Sequence, residues 1–134
     1  TRAQIADLKV HHSIAHSREV LGFEFSAAEK DQLKGAVQPL VRDFPHIGRK
    51  SLYLASHCSH VVGWRVPEGR LLLRDLMEHA TQPRFVYSHA WREGDFVIWD
   101  NRATMHRARP FDDAKYRREL RRTTTLDLPL PATA

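Results

Sequence analysis

Two arginines four residues apart, Arg118 and Arg122, and a histidine twelve residues before the first of them, His106, are the side chains best suited to hold small anions beside a metal. On an extended strand Arg118 and Arg122 share a face with Leu120 and Thr124 and stand about 13 Å apart at ~3.3 Å per residue, while Arg117, Glu119 and Arg121 point the other way. Planar guanidinium forks at that separation can converge on two carboxylates, either both ends of one small diacid or two acids side by side. The same pattern also fits a solvated basic edge strand, where arginines discourage unwanted pairing. His106 follows the apolar run Phe96-Val97-Ile98-Trp99 and the turn residues Asp100-Asn101-Arg102. Alone it would be a hydrogen-bonded core residue; with the arginine pair it becomes a metal ligand beside an anion pocket.

The other histidines carry weaker patterns. His12 and His16 have the i, i+4 spacing of a helical metal pair and His57 and His60 form His-x-x-His, but neither pair has a carboxylate at a supporting interval. His57 and Cys58 follow a strand-like run and can line a pocket or simply form a polar loop. Trp64, Trp91 and Trp99 fit core or hairpin packing better than a stacking platform for bases.

The elements that must position these residues follow from patterning. The first third reads helical, with Ile5 and Leu8, then Ile14, Val20 and Leu21 on an interrupted apolar stripe. Ser26 and Glu29 have capping-box spacing, and Gly35 stands where a glycine would end a short exposed helix after Leu33. Residues 37–41 and 51–54 read as short strands separated by the turn-rich 45–48. Pro67 and Glu68 open a helix in which Leu72, Leu73, Leu76, Met77 and Ala80 recur at helical spacing, and Thr81-Gln82-Pro83 stops it; that helix should pack on a sheet. Residues 85–91 and 96–99 then read as strands on either side of Glu93-Gly94-Asp95, predicting a hairpin, with further strands at 103–107 and 117–126.

Composition narrows the classes. A chain of 134 residues with 42% hydrophobic and 28% charged residues is one globular domain rather than a disordered tail. Its apolar runs fall short of the ~20 residues a membrane span needs and nothing at Thr1 resembles a signal peptide, so the sequence predicts a soluble, cytoplasmic protein with no membrane partner. The single Cys58 excludes an internal disulfide and a multi-thiolate zinc site within one chain. The net charge of +5 is local: residues 101–122 hold eight basic and three acidic side chains, while the rest balances at thirteen of each sign. A local anion site fits that distribution better than a nucleic-acid surface, which would need both faces of the arginine strand exposed.

The run from Gly94 to Arg107, with Trp99-Asp100-Asn101-Arg102-Ala103-Thr104-Met105-His106 at its centre, and the run from Arg117 to Thr124 together resemble the C-terminal signature of the taurine dioxygenase family. These are Fe(II)- and 2-oxoglutarate-dependent oxygenases on a double-stranded β-helix. The likeness continues upstream through Gly48-Arg49-Lys50-Ser51-Leu52-Tyr53 and the helix at 68–81, covering about residues 37–126. Residues 117–125 and Ser56-His57-Cys58-Ser59-His60 are most similar to the 2,4-dichlorophenoxyacetate dioxygenase branch.

The resemblance implies a mainly β fold with helices, a jelly roll, in which 1–36 is a helical segment, 37–127 the C-terminal part of the barrel and 128–134 a loose tail. It implies that His106 is the distal histidine of the iron triad, that Arg118 holds the far carboxylate of 2-oxoglutarate, and that Arg122 meets the acidic group of the substrate, with His57 and Cys58 as further pocket residues. Asp100 and Asn101 match as turn residues supporting the ligand. The implied reaction consumes 2-oxoglutarate and dioxygen and hydroxylates a small anionic molecule. An aryloxyalkanoate ether is then cleaved, and an alkylsulfonate such as taurine would lose sulfite instead; a non-catalytic remnant of the family is a further alternative.

One departure is plain. The family's other two ligands come from a His-x-Asp or His-x-Glu motif, which occurs nowhere here, and its upstream threonine for 2-oxoglutarate has no match. The sequence therefore predicts an N-terminally truncated fragment whose unpaired strand edges favour a homo-oligomer.

Overall fold

Val10 and His12 are buried while Lys9 is exposed and His11 between them is half-buried, and this period-two burial makes Lys9–His12 a strand, β1, at the centre of the molecule. The structure, a computed structural model, describes residues 2–125. The helical reading of the first third holds for α1 (Arg2–Ile5) and α2 (Ile14–Glu19) but is corrected between them. There Val10 serves an alternating, not a helical, pattern, and tertiary pairing overrides the stripe that Ile5 and Leu8 suggest. Ser13 caps α2 by accepting the His16 N–H at 3.1 Å. The capping box is formed: Ser26 and Glu29 satisfy each other's backbone N–H groups at the start of α3 (Ala27–Gln32), which buries no residue.

β1 pairs antiparallel with β2 (Ala36–Pro39) on one side and β5 (Cys58–Val61) on the other, with an irregularity between His11 and His12. Gly35 leads into β2 rather than closing α3 directly. Its φ is +75° and a Cβ there would overlap the carbonyl oxygen of His12, so close approach and a left-handed conformation both require glycine. The strand predicted at 37–41 is divided. Pro39 ends β2, having no N–H to continue a ladder, and buried Leu40 joins the two sheets by donating to Leu8 O at 2.8 Å and accepting from Tyr53 N at 2.7 Å.

β3 (Val41–Phe44) and β4 (Arg49–Leu52) form a separate antiparallel hairpin with Phe44 opposite Arg49. The turn expected at 45–48 is present as a 3-10 turn, Pro45–Ile47, closed by Gly48 in the left-handed region. The helix predicted after residue 66 is α4 (Val66–Ala80), and it packs on β5 as expected. Gly69, Leu73 and Leu76 form its buried face; a Cβ on Gly69 would come within 3.1 Å of the Val61 nitrogen, so glycine sets the depth of contact. Ile5, Val10, Leu40, Leu54, Val61, Leu73 and Leu76 make one core. Each fully buried aliphatic side chain there contributes about 1.5–3 kcal/mol.

Among the described residues five strands in two antiparallel sheets, with helices against the three-stranded one, agree with the β-with-helices class. The hairpin predicted from 85–91 and 96–99, and the strands at 103–107 and 117–126, are not formed among the described residues. After the 3-10 turn Pro83–Phe85 the chain runs irregularly to residue 125. Its backbone hydrogen bonds are local, such as Asp95 N to Arg92 O around Gly94 and Tyr116 N to Asp112 O. A strand is stable only against a partner ladder, and no described segment supplies one, so Tyr87, Phe96 and Ile98 stand 82%, 86% and 81% exposed. Leu126 and the predicted tail 128–134 lie outside the described residues. No helix among the described residues is long and apolar enough to cross a membrane.

Candidate functional site

Within the irregular stretch one segment is tightly built. Asp100 folds the chain around itself: its carboxylate accepts the Arg102 backbone N–H at 2.8 Å, Arg102 Nε at 3.0 Å and Arg102 Nη2 at 2.8 Å. Its carbonyl accepts the Ala103 and Thr104 N–H groups at 3.2 and 3.0 Å and the Thr104 hydroxyl at 2.7 Å. Trp99 Nε1 donates to Asn101 Oδ1 at 2.8 Å. The resulting turn brings the rings of Trp99 and His106 to 4.9 Å between centroids. The Arg102 hydrogen bonds hold the Asp100 carboxyl down at about 2, the direction a bidentate guanidinium imposes.

Arg118 and Arg122 are not placed on one strand face, because residues 117–125 form no strand. Arg118 lies over the Phe111 ring at 5.9 Å, its neighbour Arg117 is paired with Glu119 at 2.8 Å, and Arg122 is exposed. No hydrogen bond, ion pair or ring contact joins His106, Arg118 and Arg122 to one another among the described residues. Trp64, Trp91 and Trp99 are 41%, 47% and 36% exposed, so the core packing expected of them is not realised there.

The pocket residues expected at 57–58 sit in a histidine cluster on the central sheet. His12, buried, stacks on Tyr53 at 5.0 Å and meets the edge of His57 at 5.1 Å. Burial first, then the nearby charges of His57 and Arg42, lower its pKa to about 4. Burial likewise lowers His57 and raises the Cys58 thiol, which the Ala55 N–H bond at 3.3 Å only partly offsets. A thiol shifted upward stays protonated and is a poor nucleophile. Cys58 Sγ lies 3.7 Å from His12 Nε2, and His12 ends β1 while His16 lies in α2, so the helical i, i+4 pair does not exist.

Patterning did not single out Ser59 and His11, the polar centre of this cluster. Ser59 Oγ donates to His11 O at 2.9 Å and also meets His11 Nδ1 at 2.9 Å and His60 Nδ1 at 3.0 Å. His11 Nε2 donates to Lys34 O at 2.8 Å. The available signal was the alternation in β5, where Ser59 and Val61 are buried.

An iron centre of the facial-triad kind needs two histidines and a carboxylate converging on one point. Among the described residues no group of three His, Cys, Asp or Glu side chains does so. These residues therefore do not by themselves fit an iron site.

Comparisons with known proteins place the chain among 2-oxoglutarate-dependent dioxygenase relatives. The chain is 46% identical over 126 residues to the alpha-ketoglutarate-dependent 2,4-dichlorophenoxyacetate dioxygenase of Burkholderia sp. (strain RASC), covering 93% of this chain and 42% of that protein. It is 36% identical over 118 residues to the (S)-phenoxypropionate/alpha-ketoglutarate-dioxygenase of Sphingobium herbicidovorans, covering 83% of this chain and 41% of the relative. The crystal structure of AAD-2 in complex with Mn(II) and N-oxalylglycine superposes with a TM-score of 0.81 at 54% identity, over 85% of this chain and 46% of that one. Residues 1–85 are less than two thirds of the sequence, so a match over 85% of it necessarily runs into the irregular stretch. The chain thus spans less than half the length of these relatives. The family model for the taurine catabolism dioxygenase TauD, TfdA family matches residues 1–124, and the chain belongs to that family.

Proposed function

We propose that this chain supplies the histidine and arginine arm of an Fe(II)/2-oxoglutarate-dependent dioxygenase acting on small aryloxyalkanoate acids. The observation that carries the reading is the 46% identity to a 2,4-dichlorophenoxyacetate dioxygenase over 93% of the chain. His106 offers a neutral imidazole nitrogen to the metal, Arg118 a two-pronged fork to a carboxylate of 2-oxoglutarate, and Arg122 a second fork to the substrate's acid group. The net reaction converts 2-oxoglutarate, dioxygen and a C–H bond into succinate, carbon dioxide and an alcohol. On the carbon beside an ether oxygen that alcohol is a hemiacetal, which collapses to a phenol and a 2-oxo acid. Because the described residues do not complete an iron site, no elementary step is assigned to the metal.

The same reading gives the irregular stretch its meaning. Residues 37–127 form the C-terminal part of a double-stranded β-helix, in which the segments predicted as strands after residue 85 pair with strands beyond the described residues or with a second copy in a homo-oligomer. A cytoplasmic setting, where Cys58 stays reduced, belongs to this reading as well.

Steady-state kinetics of the protein carrying Arg118→Lys test it. The ammonium keeps the charge and loses the fork, so KM for 2-oxoglutarate should rise about tenfold while KM for the aryloxy acid changes little. An unchanged KM for 2-oxoglutarate would remove Arg118 from the cosubstrate site.

A further inference from the structure

We propose that Arg102 is a positioning residue: with Asp100 it locks the turn that carries His106 and seats that turn on Phe44 of the β3–β4 hairpin, holding the His106 imidazole against the Trp99 indole. The inference rests on the reading of His106 as the site's imidazole and adds what holds it in place. Its first support is the completeness of the turn. Arg102 gives Asp100 three N–H donors, the Asp100 carbonyl takes the Ala103 and Thr104 donors, and the Trp99 indole is satisfied by Asn101. A unit that satisfies its own polar groups keeps its shape without a strand ladder, which is what the rest of 86–125 lacks.

The second support is the contact outside the turn. Phe44 is only 6% exposed although it lies outside the main hydrophobic core. Groups against its ring include His46, with centroids 6.1 Å apart, and the Arg102 guanidinium carbon at 5.8 Å. The guanidinium thus serves two partners, giving N–H groups to both Asp100 carboxylate oxygens while its carbon stands within cation–π distance of the Phe44 ring, a combination an ammonium cannot reproduce. Arg102 also walls a cleft of about 360 Å³ together with Pro39, Arg42, Phe44 and His46, which places the guanidinium of the turn against the hairpin. With the Asp100 carboxyl held near 2, the pair stays ionised at any pH at which an enzyme works.

The consequence is pre-organisation. An imidazole whose ring direction is already fixed loses less freedom when it takes up its role in the site. The test uses the whole chain and needs no metal. In the wild type, NMR should show the His106 ring protons displaced by the Trp99 ring current and slowed exchange at the amides of Ala103 and Thr104. In Arg102→Ala the His106 displacement should collapse and those two amides should exchange about tenfold faster, while the amides of β1 and β5 are unchanged. Arg102→Lys should behave like Arg102→Ala, and Phe44→Leu should loosen the His106 signature in part. A His106 signature that survives Arg102→Ala, or is restored by lysine, overturns the inference. Turnover by the protein carrying His106→Ala separates the two ideas: retained activity removes the ligand reading, whatever Arg102→Ala does to the turn.

Discussion

Residues 2–85 and residues 86–125 carry the same kind of sequence and reach opposite ends. In the first region short alternating segments find partners: Val10 is flanked by β2 and β5 and is fully buried. In the second, Phe96 and Ile98 lie in an equally strand-like apolar run and stand in solvent. The difference lies in partners and not in propensity, since a strand is a property of a pair. Order in the second region comes instead from side chains reaching back to their own backbone, as at Asp100 and at Asp95, which accepts the Arg92 N–H and His89.

The sharpest way to break this comparison is to make equal truncations in both regions. Leu40→Ala removes a fully buried side chain that ties the two sheets, and should cost about 2–5 kcal/mol in urea unfolding. Ile98→Ala, at a residue 81% exposed, should change stability by no more than about 0.5 kcal/mol. A cost at Ile98 approaching that at Leu40 would mean that residues 86–125 are covered in solution, for example by a second copy, and a concentration-dependent midpoint would identify that case.

Titration gives the next effect, because the two regions shift pKa values by different means. The largest shift in the first region is that of His12, lowered by burial, and the largest in the second is that of Asp100, lowered by its hydrogen bonds to Arg102. For His12 the folded value is about 4 against an ordinary 6.5, so between those values the unfolded chain takes up a proton that the folded chain refuses. Stability is then fully present above pH 6.5 and falls as pH drops toward 4. About 2–3 kcal/mol should be lost between neutral pH and the lower part of that window. Burial lowers His57 and His16 in the same sense, so His12→Phe should reduce the slope without abolishing it. Stability independent of pH across this range would show that His12 is not buried as the neutral form.

The same contrast explains what the sequence could and could not disclose. Local chemistry was legible: the Ser26 and Glu29 box, the turn at 45–48, and α4 with its proline start and Thr81 stop all depend on neighbours within a turn or two. β1 was not, because four residues with one buried valine cannot outweigh a helical stripe until β2 and β5 are known to lie on either side. The strands expected after residue 85 were readable as patterns and not as structure, since nothing in them names a partner. The candidate site divides likewise. His106, Arg118 and Arg122 are identified by motif, and the Asp100 turn is visible as turn chemistry, whereas the contact of Arg102 with Phe44 joins residues far apart in sequence and needed coordinates.

The smallest predicted effect runs against a count of hydrogen bonds. Ser26 makes a reciprocal pair with Glu29 at the start of an exposed helix, and Ser26→Ala should cost about 1 kcal/mol of global stability. Asp100 accepts three N–H groups from Arg102 with its carboxylate, yet Asp100→Ala should leave the urea midpoint of the sheets within about 0.5 kcal/mol of the wild type. The reason is connectivity. α3 leads directly to Lys34, whose carbonyl accepts from His11 on the central strand, and to Gly35, which rests against the His12 carbonyl; fraying α3 therefore loosens the sheet. The half-buried Arg102 guanidinium of the Asp100 turn stands over the Phe44 ring of the hairpin, a contact worth about 0.5–1 kcal/mol, and its loss reorients the turn while the sheets stay folded. Far-UV circular dichroism in urea measures both variants in one experiment. If Asp100→Ala proved as costly as Ser26→Ala, residues 86–125 would be energetically part of the first region, and the irregular stretch would have to be stabilised by contacts broader than the Arg102 attachment.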